Sequence, residues 1–136
     1  MATIETVYTG QLRTRAKHLH SGTELITDAP LDNKGKGESF SPTDLVAVAL
    51  GSCMLTTIGI AADNHGFSVD GTELIITKIM ASDPRRISEI EVILNFPDIQ
   101  YSESHLRIIQ HAALTCPVSL SLSPDLHQNV SFNFKQ

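Results

Sequence analysis

The most constraining feature of this 136-residue sequence is one uncharged, largely apolar run at residues 45–62. Ser41 is a candidate helix N-cap and Pro42 suits the first helical position. Asp44 follows Ser41 by three residues, which gives a capping box with Asp in place of Glu. The pattern therefore predicts a helix over residues 42–63, ended by a left-handed cap at Asn64-His65-Gly66.

A helix that is apolar nearly all round has to be covered on every side. The chain is short and 41% apolar, so it has few other elements to cover this helix with. We therefore expect a homodimer with the helix at or near the interface. The run is long enough for a membrane span, but small and hydroxylated residues inside it and acidic residues at both ends favour a buried helix. No membrane partner is expected.

The rest of the chain has the patterns of short strands and two further helices. Alternation and turn residues predict strands at residues 4–8, 12–20, 23–27, 67–81, 87–96 and 130–134, with a possible break at Gly71. The sequence also predicts a loop at residues 28–39, a second helix at residues 102–115 and a short helical turn at residues 117–122. The order βββ-α-ββ-αα-β predicts an α+β fold, in one domain over residues 1–136.

Charge and composition argue against nucleic acid as a partner. The formal net charge is −5 and aromatic residues make up only 5% of the chain. The densest basic stretch, at residues 13–20, is typical of the solvated face of a strand. The N-terminus lacks the basic and apolar regions of a signal peptide, so we expect a cytoplasmic protein. In a reducing compartment two cysteines are thiols or a redox pair rather than a structural disulfide.

Cys53 lies in the segment LGSCML, about three turns inside the predicted helix. The helix dipole acts only on the first turn, so a reactive Cys53 would need a cation from another element. Gly51, Ser52 and Gly59 would let a backbone or a substrate approach closely. The alternative is that Cys53 is a small buried hydrophobic residue.

Cys116 lies at a helix break immediately before Pro117. Near an N-cap its thiol would face free backbone N–H groups, which favour the thiolate. Spacing does not tell whether the two cysteines meet. A zinc site is disfavoured because C-x-x-C is absent and the histidines show no ligand spacing. Ser52 lacks the G-x-S-x-G context of a hydrolase, and GKG at residues 35–37 is no phosphate loop.

Two segments resemble the motifs of the OsmC/Ohr family. SPTDLVAVALGSCMLTTIGIAADNHG resembles the central helix of the family, and TCPVSLSL resembles its second cysteine motif. The loop DAPLDNKGKGESFSP is similar to the segment that precedes this helix in OsmC-like members. The resemblance implies antiparallel sheets packed around long central helices in an intertwined homodimer, with two active sites at the dimer interface.

The resemblance also implies an activity, a thiol-dependent peroxidase that reduces organic hydroperoxides in oxidative stress defence. Cys53 would be the peroxidatic cysteine and Cys116 the resolving one, and a small or protein dithiol would reduce their disulfide. No metal or organic cofactor is expected. The alternatives are a non-catalytic thiol redox sensor or stress-associated binding protein, and a structural dimer with inert thiols.

Members of the family hold the thiolate with an Arg from the N-terminal hairpin. Arg13 and Arg15 both fall there, and the family pattern narrowly favours Arg15. A family Glu that follows the helix-opening Pro is replaced here by Thr43, and Asp44 is one position, about 100°, further round the helix. Glu38 in the preceding loop could replace that Glu. The expected pocket residues, which would otherwise be core residues, are Phe40, Leu50, Met54 and Ile58.

Overall fold

The computed structural model describes residues 1–135, and its element order is the predicted βββ-α-ββ-αα-β. The strands are β1 (Ile4–Gly10), β2 (Arg13–His18), β3 (Glu24–Asp28), β4 (Glu73–Ala81), β5 (Arg86–Asn95) and β6 (His127–Asn133). The helices are α1 (Pro42–His65), α2 (Glu103–Leu114) and α3 (Pro117–Ser121), with a 3-10 turn at Leu31–Asn33. The α+β class is confirmed. The chain divides into two compact units, residues 1–46 and the remainder, and a single domain stays a prediction.

The first unit is an antiparallel sheet in the order β1-β2-β3. Its second pairing runs from Arg13 opposite Asp28 to Lys17 opposite Glu24. The loop that follows β3 is closed by backbone hydrogen bonds, among them Gly37 N–H to the Ala29 carbonyl at 3.2 Å. Gly35 is required there because a Cβ would collide with the Ala29 carbonyl. The loop is therefore a defined structure that fixes the position of its charged residues.

The second unit contains a three-stranded sheet in the order β4-β5-β6. Its central strand alternates as predicted, with Ile90, Val92 and Leu94 buried. β4 and β5 are antiparallel, but β5 and β6 are parallel. The expectation of purely antiparallel sheets was wrong in this pairing. The reason is that α2 and α3 carry the chain back before β6 begins, which is how parallel neighbours are connected.

Helix α1 buries one stripe of its surface, formed by Ala47, Leu50, Gly51, Met54, Ile58 and Ala62. Gly51 faces β4, since a Cβ added there would lie 2.6 Å from Cδ1 of Ile76. Other faces are open, and Val48 and Ile60 are 37% and 58% exposed. By length and composition α1 could span a membrane, and 33% of its most apolar window is buried. The predicted homodimer would cover these open faces and remains a prediction.

The predicted helix ends are confirmed. The Ser41 N–H donates to Oδ2 of Asp44 at 2.9 Å, and the Asp44 N–H donates to Oγ of Ser41 at 3.0 Å. At the other end Gly66 has a φ of 73°. Two strands begin three or more residues away from their predicted starts. β4 begins only at Glu73, after a turn in which Gly71 has a φ of 87°. β6 begins at His127 because it pairs there with Glu89.

Candidate active site

Cys53 lies at the edge of the buried stripe of α1. It is half-buried, whereas Met54 beside it is fully buried and Ser52 is exposed. Its carbonyl accepts a hydrogen bond from Oγ1 of Thr57 at 2.8 Å, a bond along the helix that leaves the thiol unaffected. The thiol is therefore placed by the helix and is partly accessible to a small reagent.

Cys116 is the N-cap of α3, as the helix break predicted. Its residue is fully buried, and Pro117 occupies the first helical position. The Ser119 N–H donates to Sγ of Cys116 at 3.4 Å. This bond uses one of the N–H groups that a helix start leaves without an intrahelical partner.

The two cysteines are neighbours, and both are free thiols. Burial is the largest influence on Cys116 and raises its pKa, and a hydrogen bond and charge interaction with Cys53 raise it further. The Ser119 N–H acts in the opposite direction but is outweighed. The N–H groups at the start of α3 thus favour the Cys116 thiolate, as predicted, but desolvation of the charged form outweighs them and the net pKa is raised.

A second charged cluster lies in the first unit and is centred on Arg13. Nη2 of Arg13 is 2.8 Å from Oε1 of Glu38 and 3.3 Å from Oδ2 of Asp28. Asp28 is the stronger influence and raises the pKa of Arg13 through a hydrogen bond and its charge. Glu38 is 63% exposed, so water screens its interaction.

Asp28 is a member of this cluster that the sequence analysis missed. It is 1% exposed, and its Oδ2 also accepts the Glu38 N–H at 3.0 Å. That backbone hydrogen bond is the largest cause that lowers the Asp28 pKa, and Arg13 adds to it against the opposing effect of burial. Asp28 lies directly opposite Arg13 in the pairing of β2 with β3, and no local sequence pattern indicates this register.

Arg15, which the family pattern favoured, is exposed on β2 opposite Ile26. The ion pairs with Asp28 and Glu38 are both made by Arg13. Asp44 serves as the helix cap through its bonds with Ser41, and Oγ1 of Thr43 lies 3.1 Å from Oγ of Ser41. The roles of Arg13, Arg15 and Glu38 toward a thiolate stay predictions.

The predicted pocket residues separate into two groups. Leu50, Met54 and Ile58 are fully buried core residues of α1, and a role for them in a substrate pocket stays a prediction. Phe40 is 54% exposed and lines a shallow, open surface depression of about 290 Å³ together with Glu38 and Asp44. Within residues 1–135 there is no group of three or more His, Cys, Asp or Glu side chains that could hold a metal ion.

Comparison with known proteins found one matching family model and several similar solved structures. A family model described as OsmC-like protein matches residues 35–131. No curated protein matches the sequence. The chain is 49% identical to a Psychrobacter arcticus protein that has been proposed to be an osmotic stress induced and detoxification response protein. That match covers 98% of this chain and 96% of the other, with a TM-score of 0.93.

Two more distant structures share the fold. An organic hydroperoxide resistance protein OsmC from Legionella pneumophila has a TM-score of 0.76 at 15% identity, over 98% of each chain. An organic hydroperoxide resistance protein from Elizabethkingia anophelis has a TM-score of 0.76 at 16% identity, over 99% of this chain and 98% of the other. At such identities the likeness concerns the fold alone.

Proposed function

Since the chain belongs to the OsmC-like protein family, we propose that it is a thiol peroxidase that reduces organic hydroperoxides with Cys53 and Cys116. The observation that carries the proposal is the pairing of two free thiols, one half-buried and one fully buried. Two neighbouring thiols can store two electrons and release them as a disulfide, which a hydroperoxide needs for reduction. The names of the fold relatives point to the same substrate class.

The proposed cycle begins at Cys53. Its thiolate attacks the terminal oxygen of the hydroperoxide, the O–O bond breaks, and the alkoxide leaves as an alcohol after taking up a proton. Cys53 is then a sulfenic acid. The Cys116 sulfur attacks it, water leaves, and a Cys53–Cys116 disulfide forms. A dithiol reduces this disulfide by exchange and becomes a disulfide itself, so one hydroperoxide and one dithiol yield one alcohol and one water.

The pairing supports this division of roles. A charge on Cys53 raises the pKa of Cys116, so two adjacent thiolates are disfavoured and a neutral Cys116 can donate its S–H to an ionised Cys53. The buried thiol is shielded from solvent reagents, whereas the half-buried one is open to them. The attacking role therefore suits Cys53 and the resolving role suits Cys116.

The cation that the position of Cys53 requires is assigned in this proposal to Arg13. Its support is that Asp28 and Glu38 hold the guanidinium, as a family Glu would in other members. Glu38 would thereby replace the acid that is lost at Thr43. Arg15 remains the alternative that the family pattern favours.

The working form in this proposal is a cytoplasmic homodimer, with a small or protein dithiol as reductant and no nucleic acid or membrane partner. The apolar residues that α1 leaves exposed support the dimer. The balance of thiols, sulfenic acid and disulfide requires no metal or organic cofactor.

The test is a thiol titration before and after one equivalent of cumene hydroperoxide. Both thiols of the parent chain should disappear, and added dithiothreitol or dihydrolipoamide should restore them and sustain turnover. Cys53→Ser should remove peroxide consumption. Cys116→Ser should accumulate a sulfenic acid that dimedone labels at Cys53.

The controls separate the alternatives. Cumyl alcohol, which lacks the O–O bond, should leave both thiols intact. Loss of both thiols without dithiol-driven turnover would indicate a redox sensor rather than an enzyme. Thiols that survive the hydroperoxide would overturn the peroxidase proposal and leave a structural role for Cys53 and Cys116.

A further inference from the structure

Gln128 of β6 holds Ser119 of α3 with both ends of its side-chain amide. Oγ of Ser119 donates to Oε1 of Gln128 at 2.6 Å, and Nε2 of Gln128 donates to the Ser119 carbonyl at 3.0 Å. Both side chains are half-buried. One residue thus uses its donor and its acceptor on a single partner, which fixes the partner's backbone as well as its side chain.

Ser119, which Gln128 holds in this way, is also the residue that contacts the sulfur of Cys116. The Ser119 N–H donates to Sγ at 3.4 Å. Helix α3 contains only five residues, Pro117–Ser121, and a helix this short has little stability of its own. The direction of its first N–H groups therefore depends on contacts with other elements, and the Gln128 amide supplies a contact of that kind.

We propose that Gln128 is a positioning residue for Cys116: it holds the first turn of α3 so that the Ser119 N–H stays directed at the sulfur. The inference rests on the proposed function in taking Cys116 as the resolving thiol. Gln128 does not touch the reacting atoms and acts through Ser119 alone.

The consequence is a larger thiolate population at Cys116 than burial alone would permit. Burial raises the Cys116 pKa, and the N–H groups of Ser119 and Val118 lower it. A freed α3 turn would weaken these hydrogen bonds while Cys116 stays buried. The pKa would then rise further, and attack on the Cys53 sulfenic acid would slow because the thiolate is the nucleophile.

The test uses Cys53→Ser, which leaves Cys116 as the only thiol of the chain. With 13C-labelled cysteine, the Cβ resonance of Cys116 is followed against pH. Gln128→Leu should raise the Cys116 pKa by about half a unit or more, which is about threefold less thiolate at a given pH on the alkaline side of neutrality. The matched control is Asn129→Leu, which removes an exposed amide bonded to Glu89 from the next position of β6.

Ser119→Ala is the second variant, because it removes only the hydrogen bond from the Ser119 hydroxyl to Oε1 of Gln128. It should shift the Cys116 pKa in the same direction by a smaller amount, and it decides the matter if Gln128→Leu does not fold. An unchanged or lowered pKa in Gln128→Leu, or an equal shift in Asn129→Leu, would overturn the proposal.

A kinetic measurement completes the test in the chain that retains both cysteines. With one equivalent of cumene hydroperoxide, Gln128→Leu should form the Cys53 sulfenic acid at the parent rate and close the disulfide about threefold more slowly. Equal slowing of both steps would contradict a role confined to Cys116. If the parent chain does not react with peroxide, the proposed function fails, and the titration still decides whether Gln128 positions Cys116.

Discussion

Nη2 of Arg13 lies 2.8 Å from Oε1 of Glu38, so an ion pair joins strand β2 to the loop that precedes α1. In the family pattern the acid would follow the helix-opening Pro, where this chain has Thr43. Here the acid comes from the loop, and buried Asp28 approaches the same guanidinium nitrogen at 3.3 Å. The arginine is therefore held by two carboxylates although the family position lacks one.

This arrangement predicts that Arg13, rather than Arg15, supports the reaction of Cys53. Arg13→Met should slow oxidation of Cys53 by cumene hydroperoxide about 100-fold, because a cation that stabilises the charge of the attacking sulfur is lost. Arg15→Met is the matched control from the same strand and should retain nearly the parent rate. Stopped-flow measurement of sulfenic acid formation in Cys116→Ser decides between them. A large loss in Arg15→Met alone would restore the preference of the family pattern.

The environment of Asp28 predicts that part of the free energy of unfolding is lost in acid. Its pKa in the folded chain lies below the ordinary 3.8, chiefly because of the Glu38 N–H and Arg13. A carboxyl group with a lowered pKa contributes stability that is present above its unfolded pKa and is lost as the pH falls through its folded pKa. Asp28→Asn should therefore be less stable than the parent at pH 7, and the difference should shrink as the pH is lowered below about 4.

Urea unfolding of both chains at several pH values measures this difference. Asp98→Asn, which removes an exposed carboxylate, is the control. A gap between Asp28→Asn and the parent that stays constant from pH 7 into the acid range would contradict the assignment.

The sequence indicated some of these features because they are local. The reciprocal bonds of Ser41 and Asp44 follow from their spacing alone, and the alternation of β5 is visible in its residues. Cys116 as an N-cap follows from the proline after it. Each of these depends on neighbours within a few residues.

The partner of Arg13 depended on a register that the sequence did not determine. A turn centred on Ser21-Gly22 would place Arg15 opposite Asp28. In the structure Lys17 pairs with Glu24, so the turn is centred between His20 and Ser21 and Arg13 faces Asp28. A shift of one position in the turn centre moves every cross-strand partner by two residues, and local composition is too weak to exclude it.

The proximity of Cys53 and Cys116 could not be predicted from residue types and spacing either. It depends on the packing of α1 and α3, which are distant in sequence, and on a parallel strand pairing between β5 and β6. The net effect on the Cys116 pKa depends in turn on how completely the sulfur is buried. Motif resemblance suggested the pair, whereas propensity and spacing could not.

Gly51 of α1 lies against other side chains, whereas Gly59 has open space beside it. Substitution by alanine should therefore change the stability of the protein differently at the two positions. At Gly51 a Cβ would lie 2.6 Å from Ile76 Cδ1 and 3.0 Å from Leu74 Cδ1, whereas nothing lies within 4 Å at Gly59. Gly59→Ala should raise the free energy of unfolding by up to about 1 kcal/mol through helix propensity. Gly51→Ala gains the same propensity but displaces two methyl groups, at a cost of about 1–3 kcal/mol.

Chemical denaturation of the two variants at one protein concentration measures their difference, which should be about 1–3 kcal/mol in favour of Gly59→Ala. Equal stabilities would show that the crowding at Gly51 is relieved without cost. A Gly59→Ala variant less stable than the parent would contradict the open space beside Gly59.

The exposed side of α1 predicts self-association. Ile60 is 58% exposed on a helix that carries no charge between Leu45 and Ala62, and Val48 is 37% exposed. Burying an isoleucine side chain contributes about 1.5–3 kcal/mol, and a twofold interface contains each residue twice. Sedimentation equilibrium should therefore give twice the chain mass for the parent and the mass of one chain for Ile60→Glu. Ile60→Leu keeps the apolar surface and should stay dimeric. If Ile60→Glu retained the parent mass, or if the parent sedimented as one chain, this face of α1 would not form the interface.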